Sequence, residues 1–306
     1  MIKPSDLDVI QAELLEKPKH ENISPEYDKI LTIFKNSCRD MLKNHKASKF
    51  LFRGMDNVKE DIFVASPVKR RSESASSFGN YYTIILDNDP RWSEYPKRSN
   101  SFICGGTTGI TSQYGETFRV FPFDSTKIAK CPSDDIWTVM LASGHNFRMF
   151  NALVHYLLVS HKINTNINYE QLRQLKFAPQ EVSETMKKAK AAEGWSDFVK
   201  YPYAADLLEQ CIYDGNRHEM TRELVMNLGE YIDNYFVPEN LGFELFDIKD
   251  FKWNAHEYWF DGKALFIHEG IRLDIPSKDG GLEKESLKNC LKQIYTDVFQ
   301  EEFQYN

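Results

Sequence analysis

Cysteine is scarce in this chain. The five present among 306 residues, Cys38, Cys104, Cys131, Cys211 and Cys290, are odd in number, widely scattered and without a CxxC pair. That spacing offers neither a zinc clip nor a disulfide framework, and it suits a reduced cytosol. There is no HExxH, and His145, His155, His161, His218 and His256 show no other ligand spacing, so no metal site is expected. A GxSxG elbow that would carry a hydrolase triad is missing too. The run Gly105-Gly106-Thr107-Thr108-Gly109 lacks the Gly-Lys-Ser/Thr ending of a Walker A loop, which argues against triphosphate hydrolysis. Long apolar runs are also lacking: nowhere do roughly 18 apolar residues follow one another. Met1-Ile2-Lys3-Pro4-Ser5 opens a polar stretch without an apolar h-region, so neither a membrane span nor a secretion signal is expected. Positive charge is not in excess, since 38 basic against 45 acidic residues give a net charge of -7. This excludes a generic grip on nucleic acid or anionic membrane and leaves only local patches such as Lys69-Arg70-Arg71.

What is present is enough apolar material, 42% hydrophobic and 13% aromatic, for a sizeable core. Its periodicity divides the chain. Residues 1–45 carry Leu7, Ile10, Leu14 and Leu15, then Tyr27, Ile30, Leu31, Phe34 and Met41, at helical spacing broken by Pro18 and Pro25. Residues 46–130 turn to short runs rich in aromatic and β-branched residues: Phe50–Phe52, Ile62–Ala65, Tyr81–Leu86, Ser101–Cys104 and Phe118–Phe123. These predict strands. A helical period returns over residues 133–238, with Ile136, Met140, Leu141, Met149, Leu153, Leu157, Leu207, Leu208, Cys211, Ile212, Leu224, Leu228 and Ile232. Phe147, Phe150, Tyr156 and Trp195 read as core aromatics of that block. Residues 240–275 are strand-rich again, with Asp261-Gly262 as a hairpin signal, and a C-terminal helix is expected over 280–304.

Three pieces carry chemistry, in a fixed order. Lys49-Phe50-Leu51-Phe52-Arg53-Gly54 ends an apolar run in Arg-Gly. Arg98-Ser99-Asn100-Ser101-Phe102-Ile103 supplies a serine at the start of a strand, followed by the glycine-containing turn and by Tyr114. His256-Glu257-Tyr258-Trp259-Phe260 places a carboxylate on a late strand. This succession of Arg, Ser and Glu on short apolar strands resembles the ADP-ribosyltransferases of the Arg-Ser-Glu class. The likeness is greater to ADP-ribosyltransferases of tailed bacteriophages, through the basic stretch Val68-Lys69-Arg70-Arg71, the Arg-Ser-x-Ser-Phe strand, Tyr114-Gly115-Glu116-Thr117-Phe118, the pair Phe121-Pro122 and Trp137. It spans about residues 49 to 140 and 243 to 268; each piece alone is degenerate, and the conjunction carries the resemblance.

The resemblance implies an α+β fold: a split mixed β-sheet core, in effect two small sheets, built from residues 46–130 plus 240–275, with a large helical insertion and helical termini. It implies NAD as substrate. Cleavage of the ribose–nicotinamide bond has an oxocarbenium-like transition state, which a carboxylate and hydrogen bonds to the 2-hydroxyl stabilise. Arg53 would hold the diphosphate as a bidentate fork, with Gly54 letting backbone approach. Ser101 would orient the nicotinamide ribose beside Phe102, Tyr114 would stack on nicotinamide, and Glu257 would bond the 2-hydroxyl. Ser99 shares the strand face of Ser101 by alternation, and Glu244 and Glu269 are rival carboxylates. Ala255 stands where the arginine-modifying branch carries a second Glu or Gln, which disfavours arginine as acceptor. The acceptor would be a host protein or nucleic acid in the host cell cytoplasm. The insertion would act as a lid or recognition surface, or pack one wall of the domain. A non-catalytic partner-binding protein on the same fold is the alternative.

Overall fold

The computed structural model describes residues 24–46, 49–68, 80–142, 146–177, 227–277 and 281–300. The chain is a mixed α+β protein that divides into two compact units. The first comprises Met1–Lys69, Asn100–Lys130 and Leu245–Asn306; the second comprises Arg70–Ser99 and Cys131–Glu244. Among the described residues no helix is long and apolar enough to cross a membrane.

Ten strands are described: β1 (Leu51–Met55), β2 (Ile62–Ala65), β3 (Phe102–Gly105), β4 (Glu116–Pro122), β5 (Lys127–Lys130), β6 (Glu244–Asp247), β7 (Glu257–Phe260), β8 (Ala264–His268), β9 (Arg272–Pro276) and β10 (Leu282–Ser286). The first eight form one sheet in the order β2-β8-β4-β1-β3-β7-β5-β6. Each pairing whose register is described is antiparallel, in place of the mixed sheet expected. The sheet is continuous but uneven. The β1–β4 ladder runs from Leu51↔Val120 to Met55↔Glu116 and the β3–β7 ladder from Phe102↔Phe260 to Gly105↔Glu257, whereas β1 and β3 are in register at Phe52↔Gly105 alone. A seam therefore runs between β1 and β3, with β2-β8-β4-β1 on one side and β3-β7-β5-β6 on the other.

The strands form because their residues are aromatic or β-branched and buried on both faces in the middle of the sheet. Phe63, Phe118, Phe102 and Phe266 pack ring against ring on one face, with centroids 5.0 to 5.6 Å apart. On the other face Phe121 meets the edge of Phe34 at 4.9 Å, from the helix Pro25–Ser37. That helix starts where a break was expected: Ser24 caps it by accepting from the Tyr27 N–H, and Pro25 takes the first position, where a missing N–H costs nothing. Tyr27 also donates to Asp297 at 2.6 Å, tying this helix to the C-terminal helix Leu287–Phe299.

Three local expectations fail for tertiary reasons. Asp261-Gly262 does not close a hairpin, since β7 pairs with β3 and β5 while β8 pairs with β4 and β2. The turn carries the chain across the sheet, and Gly262 is needed because a Cβ there would lie 2.7 Å from the Thr126 hydroxyl oxygen. Leu282–Ser286, expected to open the C-terminal helix, is the strand β10, paired from Leu282↔Pro276 to Ser286↔Arg272 with β9. Tyr81–Leu86, expected as a strand, lies in the helix Tyr81–Asn88 of the second unit. Its β-propensity yields to burial, because Tyr82 stacks on Phe147 and its N–H donates to the Asn151 side chain.

In the second unit the helices Phe147–Ser160, Tyr169–Gln174 and Leu228–Tyr235 accompany Tyr81–Asn88. Phe147 and Phe150 are buried as expected, against Phe236 at 5.2 and 4.8 Å. Pro18, Trp195, Leu207, Leu208, Cys211, Ile212, Leu224 and Lys69-Arg70-Arg71 lie outside the described residues. A charged chain of side chains staples this unit. Asp89, almost wholly buried, accepts from Arg91 Nε at 2.8 Å and from the Tyr169 hydroxyl at 2.9 Å, while Arg173 grips Asp233 through both Nη atoms at 2.6 and 2.7 Å. Burial alone would raise the Asp89 carboxyl, but the hydrogen bonds from Arg91 and Tyr169 prevail and hold it below the usual range. A carboxyl depressed on folding stabilises above its unfolded value of about 3.9 and loses that contribution as pH falls through its folded value. Asp89→Asn is expected to cost about 3 kcal/mol near neutrality. In thermal melts of both proteins the gap should narrow once the pH drops below about 4.

Candidate functional site

The seam owes its shape to Arg53. Beyond Phe52↔Gly105 the strands β1 and β3 part, and the Ile103 carbonyl is met by a side chain instead of by backbone: Arg53 Nη1 donates to it at 2.5 Å. The guanidinium also lies 5.7 Å from the centre of the Phe102 ring, so Phe102 serves as a support for Arg53. One of five N–H donors is used by this bond, and the Nε–Nη2 edge keeps the fork geometry that an oxyanion takes.

Three glycines let other chain segments close on this point. A Cβ on Gly54 would lie 1.8 Å from the Thr111 carbonyl oxygen and 3.0 Å from Tyr114 Cβ. The helical turn Thr108–Thr111 and the following Ser112–Tyr114 thus rest directly on β1. Gly105 has the Thr111 methyl and the Thr107 backbone over it, and a Cβ on Gly106 would lie 1.8 Å from the Asn254 carbonyl oxygen. The Gly106 N–H donates to the His256 carbonyl at 2.9 Å and its own carbonyl accepts from Trp253 Nε1 at 3.0 Å, which fixes the segment leading into β7. Two large aromatics stay open to solvent around these glycines, Tyr114 at 64% and Trp253 at 41% exposure. Tyr114 was legible from the sequence. Trp253 was not, because only its bond to Gly106 distinguishes it from any other loop aromatic.

Glu257 opens β7 opposite Gly105, so Phe52, Gly105 and Glu257 form one row across three neighbouring strands. Residues opposite one another share a face, and alternation sends Arg53 to the other face, with Cys104 and Tyr258. Two strand spacings separate Arg53 from Glu257, about 10 Å between backbones. Ser101 is not brought to Glu257. It precedes β3 at the end opposite Gly105, four residues away or about 13 Å along the strand, and is 1% exposed. The antiparallel register is the reason: running β3 against β7 sets the start of one beside the finish of the other. The hydroxyl-bearing residue whose backbone lies over Gly105, in the Glu257 row, is Thr107.

The rival residues have other duties. Ser99 belongs to the second unit, where its backbone N–H donates to Asp87 at 3.2 and 3.4 Å. Burial raises the Asp87 carboxyl above its ordinary range, although these hydrogen bonds pull the other way. Glu269 forms a two-point pair with Arg119, whose Nε donates at 2.8 Å and whose guanidinium lies 4.7 Å from the Phe50 ring centre. Glu244 starts β6, at the sheet edge and three places from β3. Among the described residues no three His, Cys, Asp or Glu side chains converge as a metal site.

Compared with known protein families, with curated proteins and with solved structures, the chain matches none.

The contact at Gly54 is testable without any ligand. Gly54→Ala should push the Thr108–Tyr114 segment off β1 at a cost of about 2 to 3 kcal/mol. Gly109→Ala, with open space around its Cα, should melt close to wild type in the same thermal experiment.

Proposed function

We propose that this protein is a mono-ADP-ribosyltransferase that cleaves NAD at the nicotinamide–ribose bond and passes ADP-ribose to a host macromolecule. The observation that carries the reading is the order of strands. β1 with Arg53, β3 with the serine segment before it, and β7 with Glu257 are consecutive neighbours in the sheet although up to two hundred residues separate them, and the sheet parts beside Arg53. A dinucleotide passing through the parting would set its diphosphate on the free edge of Arg53 on one face and reach Glu257 on the other. Gly54, Gly105 and Gly106, having no side chains, leave room for its backbone-close parts. The exposed ring of Tyr114 offers a stacking surface for nicotinamide. Glu257, two strands from Arg53, would hydrogen-bond the 2-hydroxyl of the ribose and stabilise the positive charge that grows as nicotinamide departs.

Two roles change from those the resemblance implies. In this reading Ser101, buried at the far end of β3, secures the strand instead of touching ribose, and Thr107, whose backbone lies over Gly105, would supply a hydroxyl in its place. Phe102 acts through Arg53 and does not meet the ligand. Ala255 keeps arginine the less favoured acceptor. A non-catalytic partner-binding protein on this fold is the second reading, and the separation of Ser101 from Glu257 is what favours it.

Release of nicotinamide from NAD, with and without host lysate, tests the choice. Glu257→Ala should lower turnover about 10²-fold or more, as loss of transition-state stabilisation does. Arg53→Lys should raise KM about tenfold with kcat little changed, since lysine cannot make the fork. Ser101→Ala should melt earlier yet keep kcat, whereas a collapse of kcat would restore Ser101 to the ribose. Failure of wild type to bind or turn over NAD would sink the enzyme and leave the partner-binding protein.

A further inference from the structure

The start of the helix Tyr81–Asn88, in the second unit, gathers polar groups that the protein itself does not satisfy. Asn80, in the cap position, makes no side-chain cap hydrogen bond, and its Oδ1 is buried without a partner. Thr83, 3% exposed, leaves its Oγ1 unbonded in the first turn. Asn151, fully buried on the facing helix Phe147–Ser160, accepts the Tyr82 N–H at 3.1 Å through Oδ1, which anchors its amide at this helix start, yet its Nδ2 has no partner. Buried polar atoms left unpaired cost stability, and a native cluster of them calls for a guest.

The chemistry of the guest follows from charge. The first turn contains no acidic residue, so the positive end of the helix dipole is not neutralised within it. The Arg98 guanidinium lies 5.6 Å from the centre of the Tyr82 ring and, although it also faces the Asp87 carboxyl of the same helix, brings positive charge near this turn. The Asn151 amide and the Thr83 hydroxyl are donors, and Asn80, which presents an acceptor, presents its Nδ2 instead after a half-turn of the amide. We infer that this turn is a binding site for a small oxyanion of the phosphate type, held by Asn151 Nδ2, Thr83 Oγ1 and the helix start, with Arg98 supplying the charge. The site lies wholly in the second unit and is independent of the NAD reading.

Inorganic phosphate is the probe, added to the full-length chain in melts against chloride of equal ionic strength. Wild type should melt about 3 °C higher at a tenfold excess over the dissociation constant. Thr83→Val, of the same shape, should lose that shift and melt in chloride no lower than wild type, because it removes an unsatisfied hydroxyl. Thr83→Ser should keep the shift. A wild type indifferent to phosphate, or a Thr83→Val protein that melts lower in chloride and responds to phosphate as wild type does, would overturn the site and reduce the cluster to a hydrated turn.

Discussion

The pair Phe52↔Gly105, with the bond from Arg53 to the Ile103 carbonyl beside it, is the constraint on which the first unit depends. Two half-sheets, each with long antiparallel ladders, are joined there by a single register point and by one cation. A backbone carbonyl in a parting strand must find a donor, and a guanidinium can serve it without being used up. Arg53 is therefore a structural bridge and a candidate ligand fork at once. The surrounding glycines follow from the same point, because Gly54 and Gly106 have other chain segments where a Cβ would stand.

The chemistry proposed for the seam is limited by register. Strand geometry fixes which residues meet to within one position, and a shift of one position reverses the face. Glu257 falls in the row of Gly105 and Arg53 on the opposite face, so a ligand using both must pass through the parting and not lie on either face. Ser101 falls four residues from that row, whereas the Thr107 backbone lies over Gly105 within it. The second unit is organised differently, by stacked aromatics and by the chain of ion pairs from Asp89 to Arg173, and among its described residues unsatisfied buried side-chain atoms gather at one helix start.

Much of this was legible residue by residue. Tyr27, Ile30, Leu31 and Phe34 repeat at helical spacing and are buried on one helix, and the runs at Leu51, Ile62, Phe102, Phe118 and Ala264 became strands. The misreadings share a cause. Tyr81–Leu86 has the composition of a strand, Leu282–Ser286 that of a helix, and Asp261-Gly262 that of a hairpin, and in each the partner available in the fold outweighed a local preference worth at most about 1 kcal/mol per residue.

By itself the sequence determined the element types where periodicity was long, the scarcity of cysteine, the absence of an apolar run of membrane-spanning length, and the order of Arg53, Ser101 and Glu257 along the chain. Only the tertiary structure decided that the strands carrying Arg53 and Glu257 flank β3, that Ser101 lies away from Glu257 while the Thr107 backbone lies over Gly105 in the row of Glu257, and that Glu269 is taken by Arg119. The physical reason is that periodicity and turn chemistry act over a few residues, whereas strand neighbours and register are chosen by which long-range pairing buries the most apolar surface and leaves the fewest backbone groups unpaired.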